Sequence, residues 1–249
     1  MCSRYFLDAD GNIIAFTFAA PLQERVKKRF NIAPTQEAPV VRVGKDGQRE
    51  VAMLRWGLVP FWAKDLKVGT RMINARSDGV ETKPAFREAH KQRRCIVPAT
   101  GFFEWQGEPG RKQPWALTLP DHRLIAFAGL WERWKAPDGA PVETFTIITT
   151  DANAQVEPIH DRMPVILPME SVQAWLAGST AEAVALLKPW EGPMQLRAVN
   201  RYVSNVNNEG PECLADATPG WDEPAGSDGA GSNGPDSNGK APPRQGSLL

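Results

Sequence analysis

The sequence predicts one α+β domain, a curved, mostly antiparallel, barrel-like sheet with peripheral helices. Two observations lead there. Short stretches rich in Val, Ile, Phe, Trp and Thr recur along most of the chain, each bounded by Gly, Pro or Asp, as strands joined by turns are. The helical stretches are short and scattered, not in the strand–helix–strand alternation of a parallel sheet. Barrel-like closure is read from the number of strands alone. With 249 residues, 42% of them apolar, the chain has enough core for such a domain.

Taken in order, residues 20–30 (APLQERVKKRF) place Leu22, Val26 and Phe30 four apart behind Pro21, the pattern of an amphipathic helix. Strands are expected over 53–59, 93–98, 101–106, 114–119, 123–131, 143–150 and 163–167. A short helix fits 83–92 (KPAFREAHKQ). Pro168 precedes another, in which Val172, Trp175 and Leu176 share a face, and AEAVALLK continues as a further one. Trp56, Trp131, Trp134 and Trp175 read as core. No internal repeat is visible. The domain is expected over residues 1–215, and residues 216–249, rich in Gly, Pro, Ser and Asp, are expected to form a disordered tail with too little apolar area to offset the entropy of ordering.

Composition excludes several function classes. Lys+Arg and Asp+Glu are each 29, which argues against a protein coated in basic surface for gripping duplex DNA. Without the five acids and two bases from Asp216 onward, 27 bases face 24 acids, so a local basic groove stays open. Cys2, Cys95 and Cys213 lie far apart with no CxxC pair, which fits neither a disulfide framework nor a zinc site. No HExxH, GxxxxGK[ST] or strand-following GxGxxG occurs. No apolar run approaches the roughly 18 residues of a membrane span, and MCSRY has no signal-peptide core, so a cytoplasmic protein is expected.

Cys2 is the most informative residue. Methionine aminopeptidase removes Met1 when the next side chain is small, which would leave a thiol beside a free α-amine. That amine has an ordinary pKa of about 7.7–8.0, so part of it is neutral and nucleophilic at physiological pH. A 1,2-aminothiol traps an aldehyde: the amine forms an imine, and sulfur closes a thiazolidine ring. A cysteine at position 2 also arises by chance. His160, in EPIHDRMPVIL, sits just before an apolar strand, where loops present side chains for chemistry; a structural histidine fits there too. Glu104, in GFFEW, is either an acid among aromatics with a raised pKa or the solvent-facing member of an alternating strand. Asn74, Arg76 and Ser77 in MINARSD offer donors for a phosphate or sugar, or form a turn. In RWGLVPFWAKD, Arg55, Trp56, Trp62 and Lys64 have the composition of a single-strand stacking platform or of a core strand with a proline-kinked exit.

Together, MCSRY, FNIAPTQ (30–36), RWGLVPFWAKD (55–65), INARSD (73–78), RRCIVPATGFFEW (93–105), KQPW (112–115), TIITTDAN (146–153), IHDRMPVIL (159–167) and VSNVNNEG (203–210) resemble the SOS-response-associated peptidase (SRAP) family, the abasic site processing proteins. The resemblance runs in order from residue 2 to about 210. It implies a barrel-like α+β fold, a partner in single-stranded DNA containing an abasic site, and no metal or organic cofactor. It implies that Cys2 forms a thiazolidine with C1′ of the ring-opened sugar during the response to DNA damage. Asn74, Glu104 and His160 correspond to the family's other active-site residues, and Arg4, Arg76 and Arg162 to cations that hold the DNA backbone. Trp62 is a candidate wedge beside the lesion. A monomer is expected, associated with the nucleoid when on DNA. One departure is Ser3, where the family usually has glycine. Two alternatives stand beside this reading: a thiol peptidase using Cys2, His160 and Glu104, and a non-covalent single-stranded DNA-binding module.

Overall fold

A computed structural model describes residues 2–22 and 24–218. In chain order the elements are β1 (Tyr5–Leu7), α1 (Gly11–Phe18), β2 (Arg29–Ile32), β3 (Glu37–Val43), β4 (Arg49–Trp56), β5 (Asn74–Arg76), α2 (Arg87–Gln92), β6 (Arg94–Ala99), β7 (Gly101–Gln106), β8 (Gln113–Thr118), β9 (Ile125–Lys135), β10 (Pro141–Asp151), β11 (Arg162–Pro164), β12 (Ile166–Leu167), α3 (Val172–Ala177), α4 (Thr180–Ala185) and β13 (Gln195–Ala198).

Five strands close on themselves. β4 pairs β3, β3 pairs β6, β6 pairs β9 and β9 pairs β10, all antiparallel, and β10 returns to β4 in parallel. The closed ring bears out the expected barrel-like, mostly antiparallel sheet in an α+β fold. Closure leaves no free edge among these five strands, and their inward side chains, among them Val40, Leu54, Val97, Phe127, Phe145 and Ile147, are fully or almost fully buried. β5 and β11 extend β10, and β12 extends β9. A second, wholly antiparallel sheet runs β13-β8-β7-β1-β2.

Two glycines allow the close approaches that this fold needs. A Cβ on Gly101 would lie 2.5 Å from the Phe6 ring and 2.6 Å from the Leu117 carbonyl, so only glycine lets β1 lie against β7 here. Gly57 ends β4 at φ +119, and a Cβ there would meet the Gly69 carbonyl at 2.6 Å.

The helix expected over 20–30 is not there. The helix lies earlier, at Gly11–Phe18, with the Asp10 side chain capping the Asn12 and Ile13 amides and Ala19 closing it at φ 49. Residues 29 and 30 belong to β2, and Leu22 makes an isolated bridge to Val51. A spacing of four is even, so Leu22, Val26 and Phe30 share one side of an extended chain as well as one face of a helix. Leu22 and Val26 spend that pattern on α1, packing over Gly11, whose amide donates to the Val26 carbonyl at 3.3 Å. The expected helix over 83–92 shortens to α2. Strands β1, β2, β3, β5 and β13 are additional to those expected; β3 carries Pro39, which the sequence pattern does not favour in a paired strand.

Of the segment expected as a tail, residues 219–249 lie outside the described residues. Asp216 bridges Val199 and pairs with Arg197 at 2.5 Å, and the Ala217 amide donates to the Ala198 carbonyl.

Candidate functional site

The two sheets meet where β1 leaves the N-terminus. Tyr5 sits opposite Phe102, and the Phe103 amide donates to the Arg4 carbonyl at 2.9 Å, so Ser3 and Cys2 continue along β7 toward Glu104. β5 and β11 flank β10 on the barrel side, with Asn74 opposite Ile147 and Arg162 opposite Asp151. The turn before β11 carries His160, whose amide donates to the Val156 carbonyl at 3.0 Å. Four segments distant in sequence thus converge at one place.

There they form an open cleft of about 370 Å³, lined by Ser3, Arg4, Glu104, Lys112, His160 and Ser204, with Trp105 beside them. Cys2 is wholly buried. Its carbonyl accepts from Asn74 Nδ2 at 2.7 Å, which anchors the N-terminal residue to β5. The Asn74 Oδ1 is buried without a hydrogen-bond partner, an acceptor held beside Cys2. Ser3 adopts no positive φ, so serine here meets none of the strain that a glycine-only conformation would impose.

Electrostatics divide the roles. Burial, and next the Glu104 charge, push the Cys2 thiol above its ordinary range, so sulfur is held as S–H. Burial also raises the Glu104 carboxyl to about 7; the N-terminal ammonium and Lys112 pull the other way, and Asp161 adds to the rise. A carboxyl near 7 both gives and takes protons at physiological pH. His160 is lowered, chiefly by burial and then by the N-terminal ammonium. Its Nδ1 accepts from the Arg162 amide at 3.0 Å and lies 2.8 Å from Asp161 Oδ1. One nitrogen cannot accept from the first and donate to the second at once. The lowered pKa favours the neutral ring with Nδ1 as acceptor and the proton on Nε2; the Asp161 contact is available to the protonated ring.

Glu104 is a case where strand alternation does not decide burial. Phe102 and Glu104 share one face of β7, and Phe102 packs on Phe127 in the main core. The opposite face is covered too: Phe103 joins Phe6, Val199, Val203 and Cys213 in a second cluster. Both faces of β7 are therefore interior, and Glu104 is only 3% exposed.

The expected cations stand in different settings. Arg4 lines the cleft but is largely buried, its Nη1 donating to Asn31 Oδ1 at 2.8 Å and to the Val203 carbonyl at 2.9 Å, its guanidinium 5.5 Å from the Trp105 ring. Arg162 is also buried, bound to Asp151 at 2.6 Å and to the Thr149 carbonyl at 2.8 Å. Arg76 is exposed and forked onto Asp78 at 2.8 and 3.1 Å. Trp62 is 51% exposed beside Phe61, on the chain leaving β4, and does not line the cleft. Trp56 and Trp175 are fully buried and Trp134 nearly so; Trp131 is half-buried under the Arg42 guanidinium. Sequence reasoning missed Lys112, Trp105 and Ser204 as lining residues. Their signal was present in KQPW, GFFEW and VSNVNNEG, but nothing in those strings says that they meet. Among the described residues, no group of three or more His, Cys, Asp and Glu side chains is placed to hold a metal ion.

The model of one family, SOS response associated peptidase (SRAP), matches residues 1–206. The chain is 40% identical over 223 residues to the abasic site processing protein YoqW of Bacillus subtilis, covering 86% of this chain and 99% of that protein. It is 35% identical over 224 residues to the abasic site processing protein HMCES of Gallus gallus, covering 76% of this chain and 66% of that longer protein. A crystal structure of a protein from Bacteroides thetaiotaomicron superposes with a TM-score of 0.76 at 30% identity, over 87% of this chain and all of that one. The closed barrel, the second sheet laid against its N-terminal residue and the match across nearly all described residues place this chain in the SRAP family, whose relatives named above are abasic site processing proteins.

Proposed function

We propose that this protein captures abasic sites in single-stranded DNA as a covalent thiazolidine on Cys2. The observation that carries the reading is the setting of Cys2: a second-position cysteine whose carbonyl is anchored by Asn74, under the field of Glu104, beside an open cleft that presents His160 and Arg4. Hydrolysis of the Met1–Cys2 peptide bond frees the α-amine. Glu104 and His160 both feel the N-terminal ammonium, which supports their taking part in that step. The sugar is opened by moving the O1′ proton onto O4′, with Glu104 as proton carrier and the His160 Nε2–H as donor to the ring oxygen. The free amine adds to C1′; Glu104 protonates the departing hydroxyl, and water leaves as the imine forms. The Cys2 S–H then adds across C=N, sulfur bonding to C1′ and the proton ending on nitrogen. The net change is one water released. A thiol held as S–H fits this amine-first order.

The same observation weighs against a thiol peptidase acting on other chains, which works through a thiolate. The proposal includes a monomer that acts in the cytoplasm and at the nucleoid when on DNA.

The test is the intact mass of the protein after incubation with abasic single-stranded DNA, together with denaturing gels with and without borohydride. The expected product is the chain without Met1, plus DNA, less one water. Cys2→Ala should lose the heat-stable adduct but still give a borohydride-trappable imine, from which β-elimination breaks the strand as an AP lyase would. Retained Met1 should abolish capture. A heat-stable adduct in Cys2→Ala, or one mapping to the buried Cys95 or Cys213, overturns the reading.

A further inference from the structure

We propose that Lys112 is a substrate-positioning residue of this cleft, its ammonium taking the phosphate next to the abasic nucleotide. The inference rests on the capture reading above and adds a residue to it. The geometry begins with what the other cations are doing. Arg4 is spent on Asn31 and the Val203 carbonyl, Arg162 on Asp151 and Thr149, and Arg76 on Asp78. Lys112 lines the same cleft, is exposed, and is, among the described residues lining it, the cation with no hydrogen bond or ion pair. A solvated ammonium on a flexible stem meets a phosphate without first breaking a protein contact, whereas each arginine must give one up.

Position gives the contact a second consequence. Lys112 acts on Glu104 and His160 together, holding both pKa values lower than they would otherwise be. Glu104 is also faced by the Cys2 thiol, the N-terminal ammonium and Asp161, and it shares the cleft with His160 and Arg4. The ammonium at the N-terminus belongs to Met1 and leaves with it, and Arg4 is held by protein, so Lys112 is the cation in this set that is free to exchange solvent for an anion. A phosphate seated on Lys112 cancels its field. Glu104 then moves further up and holds its proton, ready to protonate the departing hydroxyl, when DNA is in place.

The test uses Lys112→Gln, Lys112→Arg and, as a neighbouring exposed control, Arg111→Gln. Binding is measured against salt with single-stranded DNA carrying a tetrahydrofuran abasic analogue, which has no aldehyde. Lys112→Gln should lower the slope of log K against log salt by about 0.7, one phosphate on a single strand, while Lys112→Arg keeps the wild-type slope. Crosslinking rates are then taken against pH at low and at saturating aldehyde-bearing DNA. The alkaline limb of the wild type should lie at higher pH with DNA saturating, because Glu104 acts there as the acid, and Lys112→Gln should shrink that separation by raising the low-DNA limb. A wild-type slope in Lys112→Gln, an equal loss in Arg111→Gln, or an unchanged separation of the limbs overturns the proposal. The slope is read without covalent chemistry, so a failure of Cys2 capture and a failure of Lys112 are told apart.

Discussion

Glu104→Gln separates what a buried carboxyl does for chemistry from what it does to stability, and the two effects have opposite signs. Glu104 is 3% exposed, and burial is the main reason its pKa rises from an ordinary 4.5 to about 7. Between those values the folded chain keeps a proton that the unfolded chain has lost, so the stability Glu104 contributes is fully present below 4.5 and is lost as pH rises toward 7. At about 1.4 kcal/mol for each tenfold change, ionising this group in the fold costs about 3 kcal/mol at pH 8, an upper figure because the fold relaxes around charge. Glutamine keeps the shape and carries no charge. The variant should therefore match the wild type near pH 4.5 and exceed it at pH 8. At about 2–4 °C per kcal/mol for a domain of this size, the gain at pH 8 is about 6–12 °C in Tm. The covalent capture proposed above, in which Glu104 carries protons, should meanwhile slow by about 10²–10⁴-fold. Urea or thermal unfolding at the two pH values, paired with gel-based adduct rates, reads both. A variant less stable than wild type at pH 8, or offset equally at both pH values, refutes the burial argument.

The arginines should separate by stability. Arg162→Ala strips the buried Thr149 carbonyl of its donor and should destabilise by about 1–3 kcal/mol in urea, whereas the exposed Arg76→Ala should stay within about 0.5 kcal/mol yet lower the salt slope of single-strand binding. Equal stabilities for the two variants contradict the contacts assigned to Arg162. Asn74→Ala removes the anchor on the Cys2 carbonyl and should slow adduct formation while leaving binding of aldehyde-free DNA unchanged; a wild-type rate argues against anchoring.

Much of this protein is determined along the chain. Strands β6 to β10 follow from runs of branched and aromatic residues broken by Gly, Pro or Asp, and α3 and α4 from the 3.6-residue spacing of Val172, Trp175 and Leu176 and the capping of Ser179 by Glu182. The proposed aminothiol is equally local, since it needs only Cys2 and cleavage of the bond before it. Other features belong to the fold alone. Leu22, Val26 and Phe30 satisfy a helix and an extended strand equally, and contact with α1 decides between them. The burial of Glu104 depends on the N-terminal residues and the main core meeting the face of β7 that it shares with Phe102, with Cys2 about a hundred residues away in sequence, and burial is what lifts its pKa. Arg4 and Arg162 look like Arg76 in sequence, yet two are turned inward onto carbonyls and carboxylates and one faces solvent. Local pattern reports which residues can be buried or charged. Which charge is desolvated, and which cation is left free, is set by the partners that the closed barrel and the second sheet bring to it.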